Sequence, residues 1–148
     1  ITLAAEVNES MPFYVRSMIE KEIARQPVRL EDAAVLLLGV AFKRDVDDLR
    51  HSPALKVAEL LMQDNMKNIE YYDPFIPAFS INGKKFTSKA ELTPEVLQAA
   101  DIVVITTDHS TFDYEMIVQH SKVVIDTRNA CKNATKEKAN VVVLGDGK

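Results

Sequence analysis

Val35-Leu36-Leu37-Leu38-Gly39-Val40-Ala41-Phe42-Lys43-Arg44-Asp45-Val46-Asp47-Asp48-Leu49-Arg50-His51-Ser52-Pro53 decides how this chain is read. An apolar run ends in a glycine, and a short loop follows with an aromatic ring and several charges. Ser52-Pro53 then opens an amphipathic run over residues 54–61. The stretch predicts a strand, a decorated turn and a helix. Folds of the α/β class place ligand sites just beyond the carboxyl end of such strands. Here the loop offers a ring for stacking and cations for phosphate.

Upstream, Leu3, Val7, Met11, Val15, Met18 and Ile19 recur on one helical face over residues 3–23. Pro12 must kink that helix or open a second one, because it lacks the N–H that the ladder needs. Residues 26–32, with Pro27, read as a linker, and the expected division is a helical segment at 1–30 and an α/β domain at 31–148. The continuous apolar run 33–38 predicts a strand buried on both faces. Ser52 is placed to cap the next helix, with Pro53 at its first position. Ala54, Val57, Ala58 and Leu61 form its inner stripe, and Lys56, Glu59 and Gln63 face water.

Downstream, residues 69–72 predict a second strand ending at Asp73-Pro74. Residues 75–89 contain Pro77 and Asn82-Gly83 and predict a loop with a small hairpin. Thr93-Pro94 opens a helix to residue 100, and residues 102–106 a strand. A helix at 112–120 and strands at 122–126 and 141–144 complete the pattern. Strands alternating with helices at short spacing predict a doubly wound, mostly parallel sheet preceded by a helical segment.

The bulk composition narrows the function. A chain of 148 residues is one ordinary domain with room for a continuous core. With 47% apolar and 27% charged residues it is globular, and its net charge of −4 carries no footprint for nucleic acid or an anionic membrane. A single cysteine forms no internal disulfide, which fits a cytoplasmic location, and there is no paired metal-type spacing. No apolar run approaches the ~20 residues that cross a bilayer. The chain begins at Ile1 inside what reads as a helix, so it is expected to be a piece of a longer protein.

Taken as residues alone, each candidate carries two readings. Phe42 either stacks on a nucleobase or ribose or belongs to the core; Lys43 either neutralises phosphate or is merely solvated. Arg50 lies just before a helix start, where orphan N–H groups favour anions. It reaches a pyrophosphate, pairs with Asp47 or Asp48, or does both at once. Asp45, Asp47, Asp48 and Asp73 offer clustered oxygens, but their spacing matches no calcium loop, and Arg44 and Arg50 are interleaved with them. A structural network is the expected outcome. Asp73 also mimics the acidic residue that binds a ribose in dinucleotide folds. Yet the turn after Gly39 lacks the second and third glycines of G-x-G-x-x-G, so NAD is not expected to bind in it. His51, His109 and His120 fit no metal spacing and read as surface or internally satisfied residues. Cys131 reads as an ordinary free thiol.

The segment from Gly39 to Asp45, continued by Asp47-Asp48-Leu49-Arg50-His51-Ser52-Pro53-Ala54-Leu55, resembles the signature of the C-terminal domain of the UDP-glucose/GDP-mannose dehydrogenases. Tyr72-Asp73-Pro74, the strand around Ala100-Asp101-Ile102, His109 and Asp126-Thr127-Arg128-Asn129 fall where that domain has similar motifs. Asn8-Glu9-Ser10-Met11-Pro12 resembles the helix that enters it, with a lean toward the branch acting on UDP-N-acetylhexosamines. The resemblance implies a Rossmann-like sheet without the glycine fingerprint. It also implies that Phe42, Lys43 and Arg128 lie on the nucleotide-sugar side and that Arg50 contacts the nicotinamide cofactor. The implied whole protein oxidises a sugar CH₂OH to a carboxylate, with NAD bound mainly by an N-terminal domain, supplies precursors for polysaccharides and assembles as a homo-oligomer. The family's catalytic cysteine sits in a Gly-Phe-Gly-Gly-x-Cys-type motif that does not occur here, so no catalytic residue is assigned and the chain alone is expected to be inactive. Two rivals stand beside this reading: a non-catalytic α/β module that binds a nucleotide, and an assembly module.

Overall fold

The computed structural model describes residues 3–135 and 137–144, with side chains from residue 10 onward. Helix α1 (Leu3–Ala24) runs through Pro12 as one element. Its Val15, Ile19 and Ile23 are buried, and Met11 and Met18 pack against the same cluster; the side chains of Leu3 and Val7 lie outside the described residues. The expected linker at residues 26–32 connects α1 to the first strand and ends in a single 3₁₀ turn (Leu30–Asp32), closed by the Ala33 N–H on the Leu30 carbonyl.

Strand β1 (Ala34–Leu38) leads through the loop to α2 (Pro53–Gln63). Ser52 caps α2 by accepting the Ala54 N–H at 3.3 Å. Strand β2 (Asn68–Tyr72) is followed by a hairpin, β3 (Ala78–Ile81) and β4 (Lys84–Thr87). Its turn places both Asn82 and Gly83 at positive φ, the geometry that lets a two-residue connection match strand twist. Helix α3 (Pro94–Ala99), β5 (Ile102–Ile105), α4 (Tyr114–His120), β6 (Val124–Asp126) and β7 (Val141–Val143) follow. Thr93 and Asp113 cap α3 and α4.

The main sheet has the order β2-β1-β5-β6-β7, and every pair in it is parallel. Because side chains alternate along a strand, β1 serves two cores. Val35 and Leu37 join Val15 and Ile19 of α1, Val57 and Leu61 of α2, and Phe79 and Phe86 of the hairpin. Leu36 and Leu38 join Leu97 of α3 and Ile117 of α4 on the opposite face. The doubly wound sheet with a leading helix is thus the architecture the alternating pattern predicts. No described helix is long and apolar enough to cross a membrane.

Register sets the functional edge. Leu38 pairs with Tyr72 on one side and Ile105 on the other, and Ile105 pairs with Asp126. The carboxyl ends of four strands are therefore level. The chain leaves β1 for β2 on one flank and later returns to β5 on the other, so the topological switch point lies between β1 and β5. A crevice opens at such a reversal.

Candidate functional site

At the end of β1 the backbone turns at Gly39, with φ +79°. A Cβ there would lie 2.4 Å from the Thr107 carbonyl oxygen, so the close approach of the β1 and β5 loops requires glycine. The two loops are stapled at this point. Thr106 Oγ1 donates to the Gly39 carbonyl, and Thr107 Oγ1 to the Ala41 carbonyl at 2.6 Å. Ser52 Oγ donates to the Val40 carbonyl at 2.5 Å, tying the helix cap to the same turn.

Asp73 occupies the floor. Its side chain is fully buried, and its Oδ2 accepts the Val40 and Ala41 N–H groups at 2.8 and 3.1 Å. Oδ1 accepts the Phe75 N–H at 2.8 Å. His109 Nε2 lies 2.9 Å from Oδ2, while its Nδ1 accepts the Asp45 N–H at 2.8 Å. His109 is therefore the neutral Nε2–H tautomer, donating inward and accepting outward. Burial opposes the charge on Asp73, but the His109 ring and the Val40 and Phe75 N–H groups outweigh it and hold the carboxyl below its ordinary range.

Above this floor the loop carries its charges in two states. Arg44 is committed: its Nη2 meets Asp108 Oδ2 at 2.5 Å and its Nε donates to the Asp108 carbonyl. Arg50 forks onto both oxygens of Asp48 at 3.1 Å, closing the local pair that was one of its two readings. Asp45 accepts the Ser110 hydroxyl and N–H, which hold its carboxyl below the usual range. Lys43, by contrast, is exposed and has no carboxylate partner among the described residues; its Nζ lies 5.7 Å from the Phe42 ring centroid. Phe42 is 37% exposed, so the ring is not core. Its N–H donates to the Asp48 carbonyl at 2.7 Å, which folds the loop back on itself.

Arg128 follows β6 on the same edge. Its backbone N–H, with those of Ala130 and Cys131, satisfies the buried Asp126 carboxylate. The guanidinium is not paired with Asp126; its Nε donates to the Thr106 carbonyl at 3.2 Å. Cys131 is buried, and burial together with the Asp126 charge pushes its thiol up to about 12, an unreactive setting. His51 is exposed at φ +60°, and His120 ends α4 beside Gln98. A separate hollow lined by Tyr72, Leu92, Phe112 and Met116 contains none of these residues.

The structure thus brings Phe42, Lys43, Arg50 and Arg128 to one sheet edge. Two features were missed by sequence reasoning: the Asp73–His109 pair and the Arg44–Asp108 clasp. Their only signal was an Asp-His step two threonines past an apolar strand. The turn does not fit a dinucleotide, because the Val40 and Ala41 N–H groups that face a pyrophosphate in such folds are taken here by Asp73.

Fold and edge define a doubly wound α/β domain whose switch-point loop presents an exposed ring and a free ammonium. Comparison with known proteins agrees. The UDP binding domain of the UDP-glucose/GDP-mannose dehydrogenase family matches residues 36–133. A UDP-N-acetyl-D-mannosamine dehydrogenase from Pyrococcus horikoshii is 31% identical over 138 residues, covering 89% of this chain and 30% of the relative. An NDP-N-acetyl-D-galactosaminuronic acid dehydrogenase from Ralstonia solanacearum is 33% identical over 133 residues, covering 86% and 29%. The solved UDP-D-ManNAc dehydrogenase structure from Pyrococcus horikoshii superposes with a TM-score of 0.70 at 26% identity, covering 95% of this chain and 32% of that one. The chain belongs to the UDP-glucose/GDP-mannose dehydrogenase family and corresponds to its UDP binding domain. It spans about 30% of the length of the curated relatives named here.

Proposed function

We propose that this chain is the C-terminal nucleotide-sugar-binding domain of a cytoplasmic, homo-oligomeric NAD-dependent nucleotide-sugar 6-dehydrogenase. The reaction takes a sugar CH₂OH to a carboxylate over four electrons, and the names of the relatives favour a UDP-N-acetylhexosamine as substrate. One observation carries the reading: Arg44 and Arg50 are neutralised by aspartates, whereas Lys43 beside the exposed Phe42 ring is not. A cation left unpaired next to a solvent-facing ring suits an anionic nucleotide. Phe42 is assigned to the nucleobase or ribose, and Lys43 and Arg128 to the diphosphate and its sugar. Arg50 is assigned to a cofactor held by a separate N-terminal domain, because the Val40 and Ala41 N–H groups of the turn in this domain are taken by Asp73.

Titrating UDP into the chain and into Lys43→Ala and Arg128→Ala tests the assignment. Each substitution is expected to weaken binding by about tenfold to a hundredfold, the worth of a charge-assisted contact, with the melting temperature unchanged in Lys43→Ala. Unaltered affinity in both variants would remove the ligand edge from this loop. With NAD and UDP-N-acetylhexosamines the chain alone is expected to form no NADH, and sustained turnover would refute the placement of the reacting groups in another domain. The assembly reading draws on one feature, the exposed Phe13 and Tyr14 rings on α1. It would be favoured by a domain that folds normally and ignores UDP.

A further inference from the structure

Phe42 and Lys43 are the only two loop residues that lie between two clamps. On one side the Val40 and Ala41 N–H groups are fixed by Asp73, and the Ala41 carbonyl by Thr107. On the other side Arg44 is fixed by Asp108, and Asp45 by His109 and Ser110. Asp45 holds φ +59°, a left-handed conformation that costs a non-glycine residue about 1 kcal/mol and persists only where its surroundings enforce it. The enforcing contacts are the Ser110 bonds and the His109 Nδ1 acceptor. That imidazole is fully enclosed, with ring centroids of Phe75 and Phe112 at 4.8 and 5.3 Å. Its other nitrogen rests on the same Asp73 oxygen that holds the first clamp. Both ends of the exposed dipeptide therefore lead to one buried pair.

We infer that His109 is a positioning residue of the ligand edge. Sealed from solvent, it bonds Asp73 below and the Asp45 N–H above, and so presents Phe42 and Lys43 in the geometry that a nucleoside diphosphate meets. The inference rests on the proposed function. It adds that affinity depends on the acceptor nitrogen of a ring that does not touch the ligand, because a loop already held in its bound form loses less freedom on binding.

The two nitrogens can be separated by substitution. His109→Asn sets a carbonyl oxygen near the Nδ1 position and abandons the bond to Asp73. His109→Gln reaches Asp73 but leaves the Asp45 N–H without an acceptor. His109→Ala removes both. With UDP as the probe, Gln and Ala are expected to weaken binding about tenfold, and Asn to stay within about threefold of the parent chain. All three lower the melting temperature. Affinity that follows melting temperature across the series, or does not move at all, overturns the inference. A second readout needs no ligand: backbone amide exchange at Phe42 and Asp45, whose N–H groups are bonded in the loop, is expected to rise in Gln and Ala but not in Asn, with β1 still protected. Uniform exchange across the three variants also overturns it. Absence of UDP binding by the parent chain would defeat the proposed function alone, and the exchange contrast would still decide whether His109 holds the loop.

Discussion

Gly39→Ala is expected to lower stability by about 3 kcal/mol or more, the joint cost of left-handed backbone strain and overpacking. Gly39 sits at φ +79°, and the added Cβ meets backbone and Cβ atoms of Thr107 at 2.4 to 3.0 Å, none of which is the free end of a flexible side chain. Relief requires the β1 and β5 loops to part, which breaks the Thr106 and Thr107 bonds across the switch point. Urea unfolding of the two proteins measures the loss. A midpoint equal to that of the parent chain would mean that the loops do not approach as closely as described. UDP affinity is expected to fall with the stability, because the same bonds shape the base of the Phe42-Lys43 loop.

Asp73→Ala is expected to cost about 3 kcal/mol or more, because several N–H donors lose their one acceptor at about 1–3 kcal/mol each. The Val40, Ala41 and Phe75 N–H groups and the His109 Nε2–H would all be left buried without their acceptor. The carboxyl also carries a pH signature. Its folded pKa lies below the ordinary value of 3.8, so its ionised form is favoured by folding. That contribution is complete above the unfolded value and drains away as pH falls through the folded one. The stability difference between the parent chain and Asp73→Asn is therefore expected to be constant above about pH 5 and to shrink only as pH falls below the ordinary value of 3.8 toward the lower folded one. Parallel curves would show that the charge on Asp73 does not contribute.

Much of the architecture was legible in the chain because its determinants are local. The run 33–38 is apolar on both faces, Ser52-Pro53 and Thr93-Pro94 carry caps two or three residues from the N–H groups they satisfy, and Asn82-Gly83 accepts the positive φ that a tight hairpin needs. The 3₁₀ turn at Leu30–Asp32 was not legible, since a single turn leaves no periodicity to read. At the candidate site the loop and its charges were evident, but their pairing was not. Arg44 and Asp108 are 64 residues apart, as are Asp45 and His109, and Asp73 and His109 are 36 apart.

The strand–loop–helix unit, its caps and the missing second and third glycines follow from near-neighbour chemistry: side-chain period, backbone freedom and capping act over a few residues. Strand order, the level carboxyl edge and which cation of the loop at residues 42–50 lacks a carboxylate partner are set only when distant segments are packed together. Whether Lys43 or Arg44 keeps its charge for a ligand depends on where Asp108 lands, and Asp108 is delivered by β5 on the far side of the switch point.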